Sequence, residues 1–177
     1  MKDAGDPFIV SHSYRTFLFG LISVGHVPDE EAAFVASILH DIGLTSSYIS
    51  DRGFEKVGAA TASRLLTEHG WTDHRTQTVI DAIVDHTNPT PNEVPESRVV
   101  QAGAAFDVAG IPDSLMSDDR VGEVLDRYPR TDFPQQILEA YWQEIERHPT
   151  GVFADLERHF DFSRMIEINP LDQVSHS

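Results

Sequence analysis

Cysteine is absent from all 177 residues, which excludes disulfides, cysteine-ligated zinc and thiol catalysis. Positive charge is scarce: 13 Lys and Arg face 29 Asp and Glu, giving a formal charge of −16 at pH 7. Lysine is nearly missing, with Lys2 and Lys56 alone. Duplex nucleic acid and anionic membrane surfaces both require a basic face, so neither is an expected partner. No apolar run approaches the roughly 20 residues of a membrane span. Residues 1–7 lack the apolar stretch of a signal peptide, and the expectation is a soluble, cytoplasmic protein. A hydrophobic share of 40 % still suffices for a core, so the acidity does not imply disorder.

Strand signals are also few, and what is present reads as helix. Over residues 29–42 the apolar positions Ala32, Ala33, Phe34, Ala36, Ile38 and Leu39 suit a largely buried helix. Pro28 and Asp29 stand at its start and Gly43 at its stop. Residues 54–69 form a second helix ended by Gly70. A third is capped by Thr72 and ends near His86, because Asn88-Pro89-Thr90-Pro91 cannot continue it. The pattern predicts further helices over 10–24, 96–108, 118–127, 134–147 and 151–159, with the last ten or so residues frayed. Gly103-Ala104-Ala105 permits close helix contact. The predicted class is an all-α single domain over 1–177, with a core at about 10–110 and C-terminal helices at about 112–165.

Nine histidines and seventeen aspartates make chance His-Asp neighbours common, so His40-Asp41 matters for its setting. Both residues sit near the end of a strongly apolar helix, where an unpaired charge is costly. Adjacent helical residues point about 100° apart, so an imidazole and a carboxylate there can grip one divalent ion from two directions. His12 and Asp107 are the candidates for two further ligands. Both sit among apolar neighbours on helices that must pack against the His40 helix.

At these residues the chain resembles the HD-domain superfamily of metal-dependent hydrolases. The order His12, then Ile38-Leu39-His40-Asp41-Ile42-Gly43, then Asp107 carries the resemblance. The stretches His12-Ser13-Tyr14-Arg15, Phe54-Glu55-Lys56-Val57-Gly58-Ala59, Ala82-Ile83-Val84-Asp85-His86-Thr87 and Ala102-Gly103-Ala104-Ala105-Phe106-Asp107-Val108-Ala109-Gly110 are similar to the cyanamide-hydratase-like branch. That resemblance implies a helical bundle with a metal in its cleft, and hydration of a small nitrile-type carbon such as cyanamide to urea. Dinuclear relatives have a histidine where this chain has Phe54, and a His-His pair where it has His86-Thr87. One ion is therefore expected.

The metal set is read as His12, His40, Asp41 and Asp107. Zinc or iron comes first, and manganese, nickel or cobalt also suit a site with an open position. Asp41 is expected to orient water, His86 to move the proton, Glu55 to be a second shuttle, and Arg15 to orient an anionic substrate or pair with Asp41 or Asp107. The bland alternatives are a helix-terminal His86 and a Glu55 that merely favours a helix start. Tyr141, Trp142, Phe153 and Phe160 are expected to cover the core or a homodimer partner, with a pocket wall as the lesser role. Loops 88–96 and 45–53 are expected to shape the mouth. Two rival functions stand beside the hydratase: a phosphohydrolase, for which Arg15, Lys56 and Arg64 are the nearby cations, and a catalytically silent regulatory binding module.

Overall fold

The computed structural model describes residues 6–111, 114–115 and 118–172. Among them are nine α-helices and no strand: α1 (Pro7–Val24), α2 (Glu30–Leu39), α3 (Phe54–Glu68), α4 (Asp73–Asp85), α5 (Pro95–Ala109), α6 (Asp119–Arg127), α7 (Phe133–Arg147), α8 (Val152–Phe160) and α9 (Phe162–Glu167). The caps explain several boundaries. Asp29 accepts from the Ala32 amide, Thr72 from Arg75 and Asp118 from Arg120, satisfying amides that a helix start leaves open. Gly110 ends α5 in the left-handed conformation at φ 71°, where a side chain would be strained.

Helix α2 stops earlier than residues 29–42 suggest. It ends at Leu39, and a 3-10 turn over Ile42–Leu44 follows. His40 and Asp41 thus occupy the joint between the two. Helix α9 has no counterpart in the expected set, because six residues following a left-handed Asp161 are too short to show periodicity. The tail also differs from expectation. Within residues 168–172 Asn169 and Leu171 are buried and a 3-10 turn forms at Pro170–Asp172, while Ile168 is exposed. Residues 173–177 lie outside the described residues.

Helices α1 and α5 run against each other as the central pair, with α2, α4 and α6 against them and α3 beside α4. Their contact depends on two glycines. A Cβ on Gly103 would overlap the Thr16 carbonyl, and one on Gly20 would overlap the Val99 carbonyl. Behind this pair, Ala32, Ala36, Ala62, Val79 and Ile83 make one apolar core. Phe54, Phe133, Ile137, Tyr141, Phe153 and Ile166 make a second, under α7–α9. No helix among the described residues is long and apolar enough to cross a membrane.

Two glycine substitutions test this packing in opposite directions. Gly103→Val should cost about 3 kcal/mol or more, the upper end of overpacking, since a backbone rather than a side chain must move. Gly122 in α6 has open space around its Cβ position, so Gly122→Ala should gain about 0.5–1 kcal/mol from helix propensity. Urea denaturation reads both. A Gly103→Val midpoint equal to wild type would contradict the close α1–α5 crossing.

Candidate metal centre

Three histidines are buried among the described residues, His12, His40 and His86, and all three meet Asp41. His40 and His86 use the same local device. Each is the first residue past a helix end and folds its ring back, so that Nδ1–H donates to the carbonyl three residues earlier. The acceptors are Ser37 at 2.8 Å and Ile83 at 2.7 Å. Those carbonyls belong to the last turn, which has no helical donors of its own. A carbonyl can only accept, so Nδ1 carries the proton and Nε2 of each ring presents a lone pair.

His12 reaches the same condition differently. It lies in the second turn of α1, and Nδ1 meets Asp107 Oδ2 at 2.6 Å. With that proton fixed, Nε2 faces inward. It lies 3.2 Å from His40 Nε2 and 3.3 Å from Asp41 Oδ2, while His40 Nε2 is 3.4 Å from the same oxygen. Two nitrogen lone pairs and a carboxylate oxygen therefore face each other within hydrogen-bond distance. The other carboxylate oxygen, Asp41 Oδ1, is buried without a hydrogen-bond partner. Such an arrangement calls for positive charge between the groups. The donor atoms of His12, His40 and Asp41 all lie within 4.8 Å of one another, and this two-imidazole, one-carboxylate set could hold a divalent cation with coordination positions to spare.

The electrostatics agree. Burial pushes His40 below its ordinary pKa, which leaves the ring neutral and its lone pair free. At Asp41 burial opposes ionisation, but the surrounding imidazoles outweigh it and hold the pKa well below the usual carboxylate range. His12 is also desolvated, yet Asp107 and Asp41 together raise its pKa. A proton is one way to supply the positive charge that these carboxylates favour, and a metal ion is the other.

Asp107, expected as a fourth ligand, has both carboxylate oxygens against neighbouring side chains. Oδ2 is taken by His12, and Oδ1 accepts from Arg15 Nε at 2.8 Å and from an Arg130 guanidinium nitrogen at 2.7 Å. Arg130 also donates to the Asp107 carbonyl and forms a two-bond pair with Asp172, 2.8 Å each. Asn169 donates to the same Asp107 carbonyl at 2.9 Å. Burial opposes ionisation of Asp107, but the two arginines and His12 prevail and hold its pKa far below the usual range.

The other expected residues are distributed as follows. Arg15 is fully buried, pairs with Asp107 and lies over the Phe133 ring, which is one of the two pairings expected of it. His86 Nε2 lies 3.5 Å from the unpartnered Asp41 oxygen. Glu55 is not among the described residues lining the cavity beside the centre; its nearest cation is the exposed Lys56, at 3.7 Å. Phe54 is buried with its ring 5.7 Å from that of His86 and 4.4 Å from Phe153. That cavity measures about 480 Å³, with His12, Asp41 and His86 in its wall. Tyr141, Phe153 and Phe160 also line it, whereas Trp142 is exposed elsewhere. Asn88, Pro89 and Pro91 contribute from the first of the two expected mouth loops, and none of residues 45–53 does. Arg130, Asn169 and Asp172 went unnoticed in the sequence, because nothing local marks them as partners of a residue in α5.

The sequence profile of the HD domain matches residues 9–109, well over half of the chain. Among curated proteins, none matches it.

Replacing Asp107 should separate the outer network from the inner one. Asp107→Asn leaves two buried guanidinium groups short of their counter-charge and should cost about 3–5 kcal/mol at pH 7. The lowered pKa of Asp107 makes its stabilisation complete above the unfolded carboxylate value of about 3.9 and lost progressively as pH falls below it. The stability gap between wild type and Asp107→Asn, measured by urea denaturation, should therefore shrink below about pH 4. A gap independent of pH from 7 to 3 would contradict this.

Proposed function

Because the chain belongs to the HD-domain family of metal-dependent hydrolases, we propose that His12, His40 and Asp41 hold one divalent cation and that the site adds water to an uncharged, nitrile-type carbon. The observation that carries the choice of substrate is where the cations are. Arg15 and Arg130 are committed to Asp107. Lys56 and Arg64 are exposed and pair with Glu55 and Glu68. None of the four lines the cavity. Arg98 is the cation among the described lining residues, exposed and in no ion pair with His12, Asp41 or His86, whereas phosphoryl transfer relies on cations gathered at the reacting group.

Asp107 acts on this reading as the positioning residue that fixes the tautomer and direction of His12, in the manner of carboxylates behind metal-bound histidines. A cation in the site supplies Lewis acidity, lowering the pKa of water towards neutrality and polarising the substrate. The chain's own groups then handle the protons. Asp41 Oδ1, buried without a hydrogen-bond partner and 3.5 Å from His86 Nε2, accepts a hydrogen bond from the attacking water and aims its lone pair at the substrate carbon. As the carbon–oxygen bond forms, one carbon–nitrogen π pair moves onto nitrogen, and His86 Nε2 takes the water proton. His86 then returns a proton to that nitrogen, and the imidic acid tautomerises to the amide. The net change is R–C≡N plus water to R–C(=O)–NH2; for cyanamide the product is urea. His86 suits the shuttle because Nδ1–H is fixed on Ile83 and Nε2 alone exchanges its proton.

Metal analysis and a hydration assay on the same preparation test the reading. His40→Ala and Asp41→Ala should each lose the bound ion. His86→Ala should keep about one ion per chain and hydrate cyanamide about 10²–10⁴-fold more slowly. An Asp41→Ala protein that retained its metal would remove Asp41 from the ligand set and overturn the assignment.

A further inference from the structure

The cavity is far larger and far less polar than a three-atom nitrile requires. Its volume of about 480 Å³ corresponds to roughly 16 waters at about 30 Å³ each. Cyanamide would occupy a small corner. Away from His12, Asp41 and His86 much of the wall is built from α5, α7, α8 and α9, with Val108, Ile137, Phe153, Leu156, Phe162 and Ile166 turned into it; Ser23 of α1 and the 87–91 loop complete it. Phe160 and Ile111 also line it and are 51 % and 42 % exposed, so the apolar wall continues out to solvent.

Two polar side chains on that wall, Gln101 and Tyr141, are already engaged. Gln101 donates to the Asn88 and Thr90 carbonyls at 2.6 and 2.8 Å and accepts from the Asn92 amide at 2.8 Å. Its bonds brace the mouth loop and leave little for a ligand. The Tyr141 hydroxyl faces the Phe153 carbonyl at 2.9 Å and Glu157 at 3.0 Å. Arg98 is the cation among the described lining residues, and it is exposed. A ligand here finds hydrogen-bonding capacity at the Asp41–His86 end and apolar contact along the rest of its length.

We infer that the substrate is an uncharged molecule with a compact polar, electrophilic head and an aryl or branched-alkyl body, the head at Asp41 and His86 and the body against α5 and α7–α9. The inference rests on the reading of the His12–His40–Asp41 centre as the reactive end. It replaces a minimal nitrile with an arylalkyl or branched-alkyl nitrile as the preferred class. Burial of the body supplies the affinity, and the polar end sets the orientation.

Isothermal titration of the full chain with 4-phenylbutanamide, an unreactive product-like probe, and with urea tests the inference without relying on turnover. The aryl amide should bind at least tenfold more tightly than urea. Val108→Phe, which fills the cavity from α5, should weaken it at least tenfold while about one metal ion per chain remains. Met165→Trp on α9 should do the same if Val108→Phe does not fold. Aryl amide binding no tighter than urea, or unchanged in both variants, overturns the inference even when the metal is present. If wild type binds the aryl amide as expected but holds no metal, the substrate shape stands and the reading of the centre fails.

Discussion

A carboxylate with no exposure to water cannot remain charged unless cations surround it, and Asp107 meets that requirement with two arginines and a histidine. The consequences reach most of the chain. Arg15 comes from α1, Asp107 from α5, Arg130 from the segment before α7, and Asp172 from the turn after α9. Neutralising one buried charge thereby ties the family-matching helices to the C-terminal ones. The same carboxylate accepts a hydrogen bond from His12 Nδ1–H and turns the opposite nitrogen towards His40 and Asp41. Structural cohesion and the direction of one ligand nitrogen come from a single group.

This arrangement also explains how an acidic protein of charge −16 can carry two buried guanidinium groups and present neither of them to its cavity. Arg15 and Arg130 sit within 5 Å of the Phe133 ring, at 4.6 and 4.8 Å. Their guanidinium groups bond Asp107, Asp172 and backbone carbonyls, with Arg15 Nη2 buried and without a hydrogen-bond partner. The inner cluster shows the complementary case, lone pairs and a carboxylate without enough positive charge. A charge-balanced outer network, two arginines against two aspartates, and an inner deficit are separated by one imidazole. That contrast favours a cation between His12, His40 and Asp41 and a neutral substrate beyond it.

Much of this was legible in the chain itself. The apolar period of α3, α4 and α5, with Thr72 and Gly110 at their ends, located those helices to within a residue or two. His40-Asp41 was marked by its apolar helix, and His12 and Asp107 by helices that had to pack on it. Three things were not legible. Whether Asp107 touches an ion or the back of His12 depends on a few ångströms of side-chain placement. Arg130 is one of eleven arginines, and its role follows from tertiary position alone. The cavity wall was hidden as well, because Phe153 and Leu156 have the same helical spacing whether they face a core or a ligand. His86 was readable both as a helix-end histidine and as a catalytic one. It occupies the helix-end position through Nδ1 and leaves Nε2 free for the other role.

In the proposed centre His12, His40 and Asp41 hold the ion while Asp107 stays behind His12. Anomalous diffraction from crystals of the metal-loaded protein measures this directly. One anomalous peak is expected, bonded to Nε2 of His12, Nε2 of His40 and a carboxylate oxygen of Asp41, with Asp107 still on His12 Nδ1. A peak bonded to an Asp107 oxygen, or no peak between the two imidazoles, would contradict it.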